Sequence, residues 1–344
     1  MRVGSDSMTI SPDKEKRLRA VSNSRGIIAA LAIDQRSALR KLFAKAQGVE
    51  ETAVPGETLQ HFKETVSRLL TPHTSAILLD PEYGLPAARA RAKNAGLLLA
   101  YEQTGYDPAV AGRLPRLLSG YSVQRLVEEG ADCVKVLLYY SPFSTPEINS
   151  QKHSWVEGVG KECHAAGVPF FLELVAYHDE IKSPGIEFAL IKPEIVTRSL
   201  EEFSRPQYGV DIFKVGVPVS IAFVEGIGDG PKAYTRQEAL NYFRRSAEAA
   251  ARPFIYLSEG VTAELFRDAL ELAAESGVRF SGVLCGRATW SDGVEIYVKR
   301  GQTALEDWLG TSGVGNVQAL NSLLQKATPW PELYSSPRPQ KKSD

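Results

Sequence analysis

Three ionisable residues of this sequence stand inside short apolar runs, where charged side chains are unusual. Lys214 lies between Gly209 and Pro218, in a run whose other residues are mostly aliphatic or aromatic. Because side chains alternate along a strand, the face that carries Phe213 and Val215 suits packing against helices and turns Lys214 to the other side. Burial disfavours a charged amine, so this run alone fits either an ion pair with a neighbouring carboxylate or a reactive lysine.

Lys135 and Glu173 occupy the two preceding apolar runs, Cys133–Tyr139 and Pro169–Val175. A structural ion pair between them is one interpretation, but burying three charges for structure alone does no better than a well-packed apolar core. A second ammonium and apolar walls both favour the neutral form of a lysine, and the neutral form attacks carbonyl carbons. Glu173 can move the protons needed to form and dehydrate a carbinolamine. Together these residues predict Schiff-base chemistry with Lys214 as the nucleophile.

Polar groups also follow other apolar runs. Asp34 ends the first run and fits either a catalytic carboxylate or a helix N-cap, while Asp80, which precedes a proline, is expected to organise its loop. Ser258 and the pair Gly286 and Arg287 follow the last two runs. A hydroxyl, loop amides and an arginine at such positions are typical of phosphate sites. These last residues predict a phosphate grip.

The elements that must position these side chains are eight apolar runs, nearly all separated by segments of helical periodicity. The runs are Gly26–Ile33, Ser75–Leu79, Gly96–Ala100, Cys133–Tyr139, Pro169–Val175, Val210–Val217, Pro253–Leu257 and Phe280–Cys285. Strands that are apolar on both faces and alternate with helices predict an α/β fold, a (β/α)8 TIM barrel. An open doubly wound sheet is the alternative, but no G-x-G-x-x-G motif follows any run.

Helical signals support the barrel. Glu57–Leu70 carries an apolar stripe, a capping box begins a helix at Thr235, and a third helix ends at Gly277. The weakest crossover lies between the second and third runs. Thr303–Leu309 and Val317–Ala327 predict a helical C-terminal extension outside the barrel.

Composition indicates a protein of the reducing cytoplasm. The 344 residues include 40 basic and 41 acidic side chains, and this balance gives no support for a nucleic-acid or membrane partner. Three scattered cysteines do not form a disulfide framework, and no apolar run is long enough to cross a membrane. We expect a flexible N-terminal extension at residues 1–10, one domain at 11–331 and a flexible tail at 332–344. A homo-oligomer is compatible with the sequence.

Metal chemistry is not favoured. The five histidines are scattered and show no H-E-x-x-H motif or paired spacing at predicted strand ends. We therefore expect neither a metal nor an organic cofactor.

Long segments of this sequence resemble class I tagatose 1,6-bisphosphate aldolases, and the resemblance extends from about Ser11 to Pro331. The matching segments are Leu-Ala-Ile-Asp34-Gln-Arg, Ala-Ile-Leu-Leu-Asp80-Pro-Glu-Tyr-Gly, Gly-Leu-Leu-Leu-Ala-Tyr-Glu102-Gln-Thr-Gly-Tyr, Val-Lys135-Val-Leu-Leu-Tyr-Tyr, Phe-Phe-Leu-Glu173-Leu, Gly-Val-Asp-Ile-Phe-Lys214-Val, Ile-Tyr-Leu-Ser258 and Gly-Val-Leu-Cys-Gly-Arg287-Ala-Thr-Trp. The resemblance implies a (β/α)8 enzyme that splits a ketose bisphosphate through a Schiff base.

The resemblance also implies roles for single residues. Lys214 is similar to the Schiff-base lysine of the family, Glu173 to its proton-transferring carboxylate, and Asp34 and Lys135 to the polar groups at the reacting carbons. Ser258, Gly286 and Arg287 resemble the phosphate grip, and Gln35 and Arg36 are expected to contact the substrate. Either Asp34 or Glu173 would deprotonate the C4 hydroxyl.

One departure concerns the substrate. Family members usually carry Lys-Val-Glu-Val-Pro where this chain has Lys214-Val-Gly216-Val-Pro. We expect the glycine to leave room beside the sugar for water or a different side chain and to loosen selection among epimers, although a glycine in a strand interior can also mark a close backbone approach. The alternatives to a tagatose bisphosphate aldolase are a Schiff-base aldolase for another ketose phosphate, such as a sulfosugar phosphate, and a non-catalytic sugar-phosphate sensor.

Overall fold

The computed structural model describes residues 10–104, 110–228 and 230–335. Within them, eight parallel strands form a closed barrel in chain order. The strands are β1 (Ile28–Ala32), β2 (Ala76–Leu79), β3 (Gly96–Ala100), β4 (Cys133–Tyr140), β5 (Phe170–Ala176), β6 (Ile212–Gly216), β7 (Phe254–Leu257) and β8 (Gly282–Cys285). The predicted barrel is confirmed. Each strand lies within its predicted run, except that β4 and β5 end one residue later.

The helices of the described residues cover the outside of the barrel and one of its ends. They are α1 (Pro12–Ala20), α2 (Ser37–Gln47), α3 (Gly56–Leu70), α4 (Leu85–Ala90), α5 (Val123–Glu128), α6 (Pro146–Ala165), α7 (Ile186–Phe203), α8 (Arg236–Ala249), α9 (Ala263–Glu275), α10 (Arg287–Trp290), α11 (Asp292–Trp308), α12 (Val314–Leu323) and α13 (Trp330–Ser335). The predicted capping box at Thr235 is present, and the crossover between β2 and β3 contains only the short α4.

Two apolar layers confirm the predicted alternation of side chains. Phe213 and Val215 belong to the layer between the sheet and the helices. Phe171, Ile212 and Ile255 belong to the layer inside the barrel. Lys214 is two residues beyond Ile212 and therefore points into the barrel, as the sequence predicts.

The N-terminal end of the barrel is closed by α1 and α13. Leu18 of α1 and Trp330 of α13 are both buried with the inner apolar layer. Tyr334 packs edge-on against Trp330 and donates a 2.7 Å hydrogen bond to the backbone of Asp211. The packed chain thus continues past the domain end expected at Pro331, because these aromatic side chains anchor it. Residues 1–9 and 336–344, where flexible ends are expected, lie outside the described residues.

The C-terminal extension is helical, as predicted, and begins earlier than expected. Helix α11 starts at Asp292 rather than Thr303, and it is kinked at Gly301, whose φ is 82°. Helix α12 then follows. No helix among the described residues is long and apolar enough to span a membrane.

Candidate active site

Two lysines share one carboxylate oxygen at the C-terminal end of the barrel. The register of β5 and β6 places Glu173 directly opposite Lys214. Glu173 Oε2 lies 2.8 Å from Lys214 Nζ and 2.9 Å from Lys135 Nζ, and all three residues are buried. The predicted convergence of three successive strands is therefore present, with Glu173 between the two amines.

Lys135 is the centre of a larger charge cluster. Its Nζ donates to Asp34 Oδ2 at 2.7 Å and to Glu102 Oε1 at 2.7 Å, in addition to its contact with Glu173. Burial acts to lower the pKa of Lys135, but these three carboxylates raise it well above its ordinary value. Lys135 is therefore a permanent cation whose charge is balanced locally.

Asp34 is held as a carboxylate. Burial acts to raise the pKa of Asp34, but attraction to Lys135 and Lys214 outweighs burial and lowers the pKa well below its usual range. A carboxylate of such low basicity is a stable anion and a weak proton acceptor. Of the two roles that the sequence leaves open for Asp34, the geometry favours the carboxylate in the site over a helix N-cap, since the residue that caps α2 is Arg36.

Glu102 is a site residue that the sequence analysis did not assign. It stands two positions beyond the end of β3 and is only 2% exposed. Burial raises the pKa of Glu102, against the opposing attraction of Lys135 and Arg36. Its Oε2 has no hydrogen-bond partner among the described residues. The available signal was an acidic residue just after the third apolar run, which matches the pattern of Asp34 after the first.

Gln35 and Arg36 play different parts. Gln35 Nε2 donates to Asp34 Oδ1 at 3.2 Å, and Gln35 Oε1 is buried without a described partner. Arg36 donates to Glu82 Oε2 and to the backbone oxygen of Glu102, each at 2.7 Å. Because both terminal nitrogens of Arg36 bind the protein, this arginine supports the Glu102 segment rather than offering a free fork to a phosphate. Gln35 keeps an unsatisfied polar atom at the site.

Asp80 organises its loop, in agreement with the sequence. It is fully buried, pairs with the ammonium of Lys63, and accepts a 2.7 Å hydrogen bond from the backbone of Tyr83. It therefore belongs to the wall of the barrel and not to the reacting cluster.

The predicted phosphate residues meet on the loops after β7 and β8. Burial raises the pKa of the Cys285 thiol, and the nearby hydroxyl of Ser258 acts against this rise, while Cys285 directly precedes Gly286. The guanidinium of Arg287 lies so close to Gly260 that a side chain at Gly260 would overlap it. Arg287 is exposed, and its guanidinium has no hydrogen bond or ion pair to any described residue. Its fork of five N–H donors is therefore available at this rim.

The expected room beside Gly216 is already filled. The carboxylate of Glu259, on the loop after β7, occupies the space that a Cβ at Gly216 would need. Glu259 is in turn paired with Lys192. The expected room is thus filled by a different side chain, which is one of the two occupants expected there, and the close approach is made by a side chain and not by backbone. Looser selection among epimers stays a prediction.

The described residues contain no cluster of histidine, cysteine and acidic side chains that could hold a metal ion. The carboxylates of the site are bonded to ammonium groups instead, which is an arrangement suited to proton transfer.

Comparisons with known proteins show to which family this chain belongs. A family model described as DeoC/LacD family aldolase matches residues 28–292. Tagatose 1,6-diphosphate aldolase 2 of Enterococcus faecalis is 52% identical over 318 residues, which are 92% of this chain and 95% of that protein. Tagatose 1,6-diphosphate aldolase of Lactococcus lactis is 47% identical over 325 residues, covering 94% of this chain and 99% of that protein.

A solved structure shares the fold. Fructose-bisphosphate aldolase of Plasmodium falciparum has a TM-score of 0.66 at 14% identity, and the match covers 95% of this chain and 97% of that one. At this identity the likeness shows the barrel alone. The sequence matches carry the assignment further, and they cover almost the whole chain. This chain belongs to the DeoC/LacD family of aldolases.

Proposed function

We propose that this chain is a class I aldolase that cleaves D-tagatose 1,6-bisphosphate to dihydroxyacetone phosphate and D-glyceraldehyde 3-phosphate. The observation that carries this proposal is the pair of buried lysines that share Glu173 Oε2 at the mouth of the barrel. The relatives named tagatose 1,6-diphosphate aldolase support the choice of sugar. The charge of such sugar phosphates is consistent with an enzyme that works in the cytoplasm.

In the first step Lys214 forms the Schiff base. Its Nζ gives one proton to Glu173 Oε2, 2.8 Å away, and attacks C2 of the open-chain ketose. The carbonyl oxygen becomes the hydroxyl of a carbinolamine. Glu173 then protonates this hydroxyl, water leaves, and the iminium forms. One carboxylate thus serves both the loss and the return of a proton.

In the second step the C3–C4 bond breaks. A base removes the proton of the C4 hydroxyl, the C4 oxygen forms the carbonyl of glyceraldehyde 3-phosphate, and the C3–C4 electron pair moves into the iminium to give an enamine. Protonation at C3 and hydrolysis then release dihydroxyacetone phosphate and free Lys214. We assign the base to Glu173, because the low pKa of Asp34 makes it the weaker proton acceptor.

Lys135 and its carboxylates hold this centre in place. The permanent charge of Lys135 fixes Asp34, Glu102 and Glu173 around one point. We assign Glu102 a positioning role, since its observed contact is with Lys135 and not with Lys214. Such a network gives the reacting groups one geometry before substrate arrives.

Two arginines suit the two phosphates of the substrate. Arg287, beside Gly260 and near Ser258, would bind the phosphate of the dihydroxyacetone half. The guanidinium carbon of Arg113 lies 4.8 Å from the ring centre of Tyr139 and 4.9 Å from that of Tyr177, and the guanidinium has no hydrogen bond to a described residue. We assign Arg113 to the second phosphate, because cation–π contacts with the two rings hold its guanidinium while its N–H donors have no described partner.

The test of this proposal is turnover with the four ketohexose 1,6-bisphosphate epimers, measured by coupled detection of glyceraldehyde 3-phosphate. We expect cleavage of the tagatose compound and no effect of a chelator. The Lys214→Ala variant is the control and should be inactive. Binding of the sugar without any cleavage would favour a sugar-phosphate sensor, and cleavage of only another ketose phosphate would favour an aldolase of different specificity.

A further inference from the structure

The carboxylate of Glu259 stands against the backbone of Gly216, two residues beyond Lys214 on the same face of β6. An added Cβ at Gly216 would overlap the carboxylate carbon and Oε1 and would lie 2.6 Å from Oε2. Gly216 is not among the residues of positive φ, so its backbone does not require glycine. Position 216 instead needs a residue without a side chain, because the carboxylate of Glu259 fills the space that a Cβ would take.

Lys192 forms an ion pair with this carboxylate. Its Nζ, on α7, lies 2.5 Å from Glu259 Oε2 and 3.3 Å from the backbone oxygen of Val219. The side chains of Lys192 and Glu259 are 6% and 23% exposed. The pair therefore connects three separate parts of the chain, namely α7, the segment after β6 and the loop after β7. A largely buried charge pair of this kind tolerates little displacement of either partner.

The loop that Glu259 anchors contains the phosphate residues. Glu259 and Gly260 both have left-handed backbone conformations, with φ of 47° and 82°. This conformation is strained for a glutamate and persists only where neighbouring contacts hold it. Ser258 precedes the pair, and the guanidinium of Arg287 rests on Gly260. The position of Glu259 consequently determines where Ser258, Gly260 and Arg287 stand relative to one another.

We propose that Glu259 is a positioning residue for the phosphate-binding residues Ser258 and Arg287. The ion pair with Lys192 fixes its carboxylate, and the missing side chain of Gly216 leaves the space for it. This inference rests on the proposed function, because it assumes that Arg287 and Ser258 bind the phosphate of the substrate. It separates two roles at one rim: Lys214 and Glu173 perform the chemistry, and Glu259 sets the geometry of anion binding.

The first test compares phosphorylated and unphosphorylated ligands in Glu259→Ala and Glu259→Gln. Borohydride trapping of the Schiff base is titrated with dihydroxyacetone phosphate and with dihydroxyacetone. We expect half-saturation by the phosphate to shift upward by about tenfold in Glu259→Ala and less in Glu259→Gln, since one charge-assisted contact is lost or weakened. Half-saturation by dihydroxyacetone should stay unchanged. The matched control is Glu194→Gln, which lies on α7 like Lys192 and removes an exposed ion pair with Arg245 of α8. It should have no effect on either ligand.

The second test is a double-mutant cycle between Gly216 and Glu259. Gly216→Ala should raise half-saturation by dihydroxyacetone phosphate about as much as Glu259→Ala, because the added methyl group displaces the carboxylate. In the Glu259→Ala background, Gly216→Ala should add little, since the two changes act through one contact. Both substitutions are small, so the cycle does not depend on replacing the buried Lys192.

Three outcomes in the variants would overturn the inference. They are additive effects in the cycle, a Gly216→Ala variant that behaves as wild type, and equal weakening with both ligands, which would mean that Glu259 acts on Schiff-base formation instead. A wild-type protein that traps dihydroxyacetone but shows no preference for its phosphate would also contradict it. Failure of the wild type to trap either ligand would instead refute the proposed function, so the two failures are distinguishable.

Discussion

At the scale of residues, the site is a network of ammonium groups hydrogen-bonded to carboxylates, in which the charges balance. Lys214 and Lys135 meet at one oxygen of Glu173, and Lys135 is surrounded by two more carboxylates. The sequence predicted Lys214, Glu173, Lys135 and Asp34 because each ionisable residue stood in or directly after an apolar run. It missed Glu102 because a tyrosine separates that residue from its run, and burial of a residue beyond a strand end is decided by its neighbours in space.

The charge balance predicts how stability depends on pH. The folded pKa of Asp34 is depressed, so its stabilising contribution is complete above the unfolded pKa of about 3.9 and is lost as the pH falls through the folded value. The folded pKa of Lys135 is raised, so its contribution is complete below about 10.4 and is lost as the pH rises.

Urea unfolding of wild type and Asp34→Asn checks the acidic side. We expect the wild type to be the more stable by an amount that is constant between about pH 5 and pH 7 and that shrinks towards pH 3. Asp292→Asn, a change at an exposed aspartate, serves as the control. A stability difference for Asp34→Asn that is the same at acidic and neutral pH would contradict this account.

At the scale of elements, strand parity explains why the reacting groups could be predicted and the loops could not. Residues on β4, β5 and β6 point inward by alternation alone, and parallel neighbours in register bring them together. The contact between Gly216 and Glu259 joins a strand to a loop 43 positions later, and Lys192 lies on α7, which precedes that strand. No local pattern encodes that contact, so the glycine alone could not show which group fills the space beside it.

The two proposed phosphate sites should be distinguishable by substituting their arginines one at a time. Arg287→Ala should weaken both the cleavage of the bisphosphate and the trapping of dihydroxyacetone phosphate, by roughly 1.5–3 kcal/mol for a lost charge-assisted contact. Arg113→Met should weaken cleavage of the bisphosphate while trapping of dihydroxyacetone phosphate stays as in wild type, because this half of the substrate does not reach the second phosphate site.

Steady-state kinetics with the bisphosphate and borohydride trapping with dihydroxyacetone phosphate provide the comparison. Arg300→Met, at an exposed arginine of α11, is the control for general loss of positive charge. If Arg113→Met reduced trapping as strongly as Arg287→Ala, the assignment of separate phosphates to the two arginines would be wrong.

At the scale of the whole molecule, helices close the N-terminal end of the barrel, and the candidate active site lies at the C-terminal end. The first and last described helices, α1 and α13, both contribute to the inner layer at this end, where Leu18 and Trp330 are buried. The sequence predicted the eight strands because their apolar runs are clear. It did not predict α13, since six residues with two aromatic side chains give no helical period and gain their order from the barrel floor.

Trp330→Ala should therefore destabilise the fold without altering the site. Removing a fully buried tryptophan typically costs about 3–5 kcal/mol. Urea or thermal unfolding measures the loss, and borohydride trapping at a low temperature measures the site. Trp308→Ala, at a partly buried tryptophan outside the barrel, should cost less. A Trp330→Ala variant as stable as wild type, or a stable variant that has lost trapping, would contradict the division between floor and mouth.

The central claim is that Lys214 forms the Schiff base. Borohydride reduction in the presence of dihydroxyacetone phosphate, followed by proteolysis and mass spectrometry, locates the modified residue. We predict one adduct per chain, on the peptide that contains Lys214, and no adduct in Lys214→Ala, while Lys299→Met keeps the full yield. An adduct on Lys135 with Lys214 unmodified, or no adduct in a protein that still cleaves the sugar, would contradict the account.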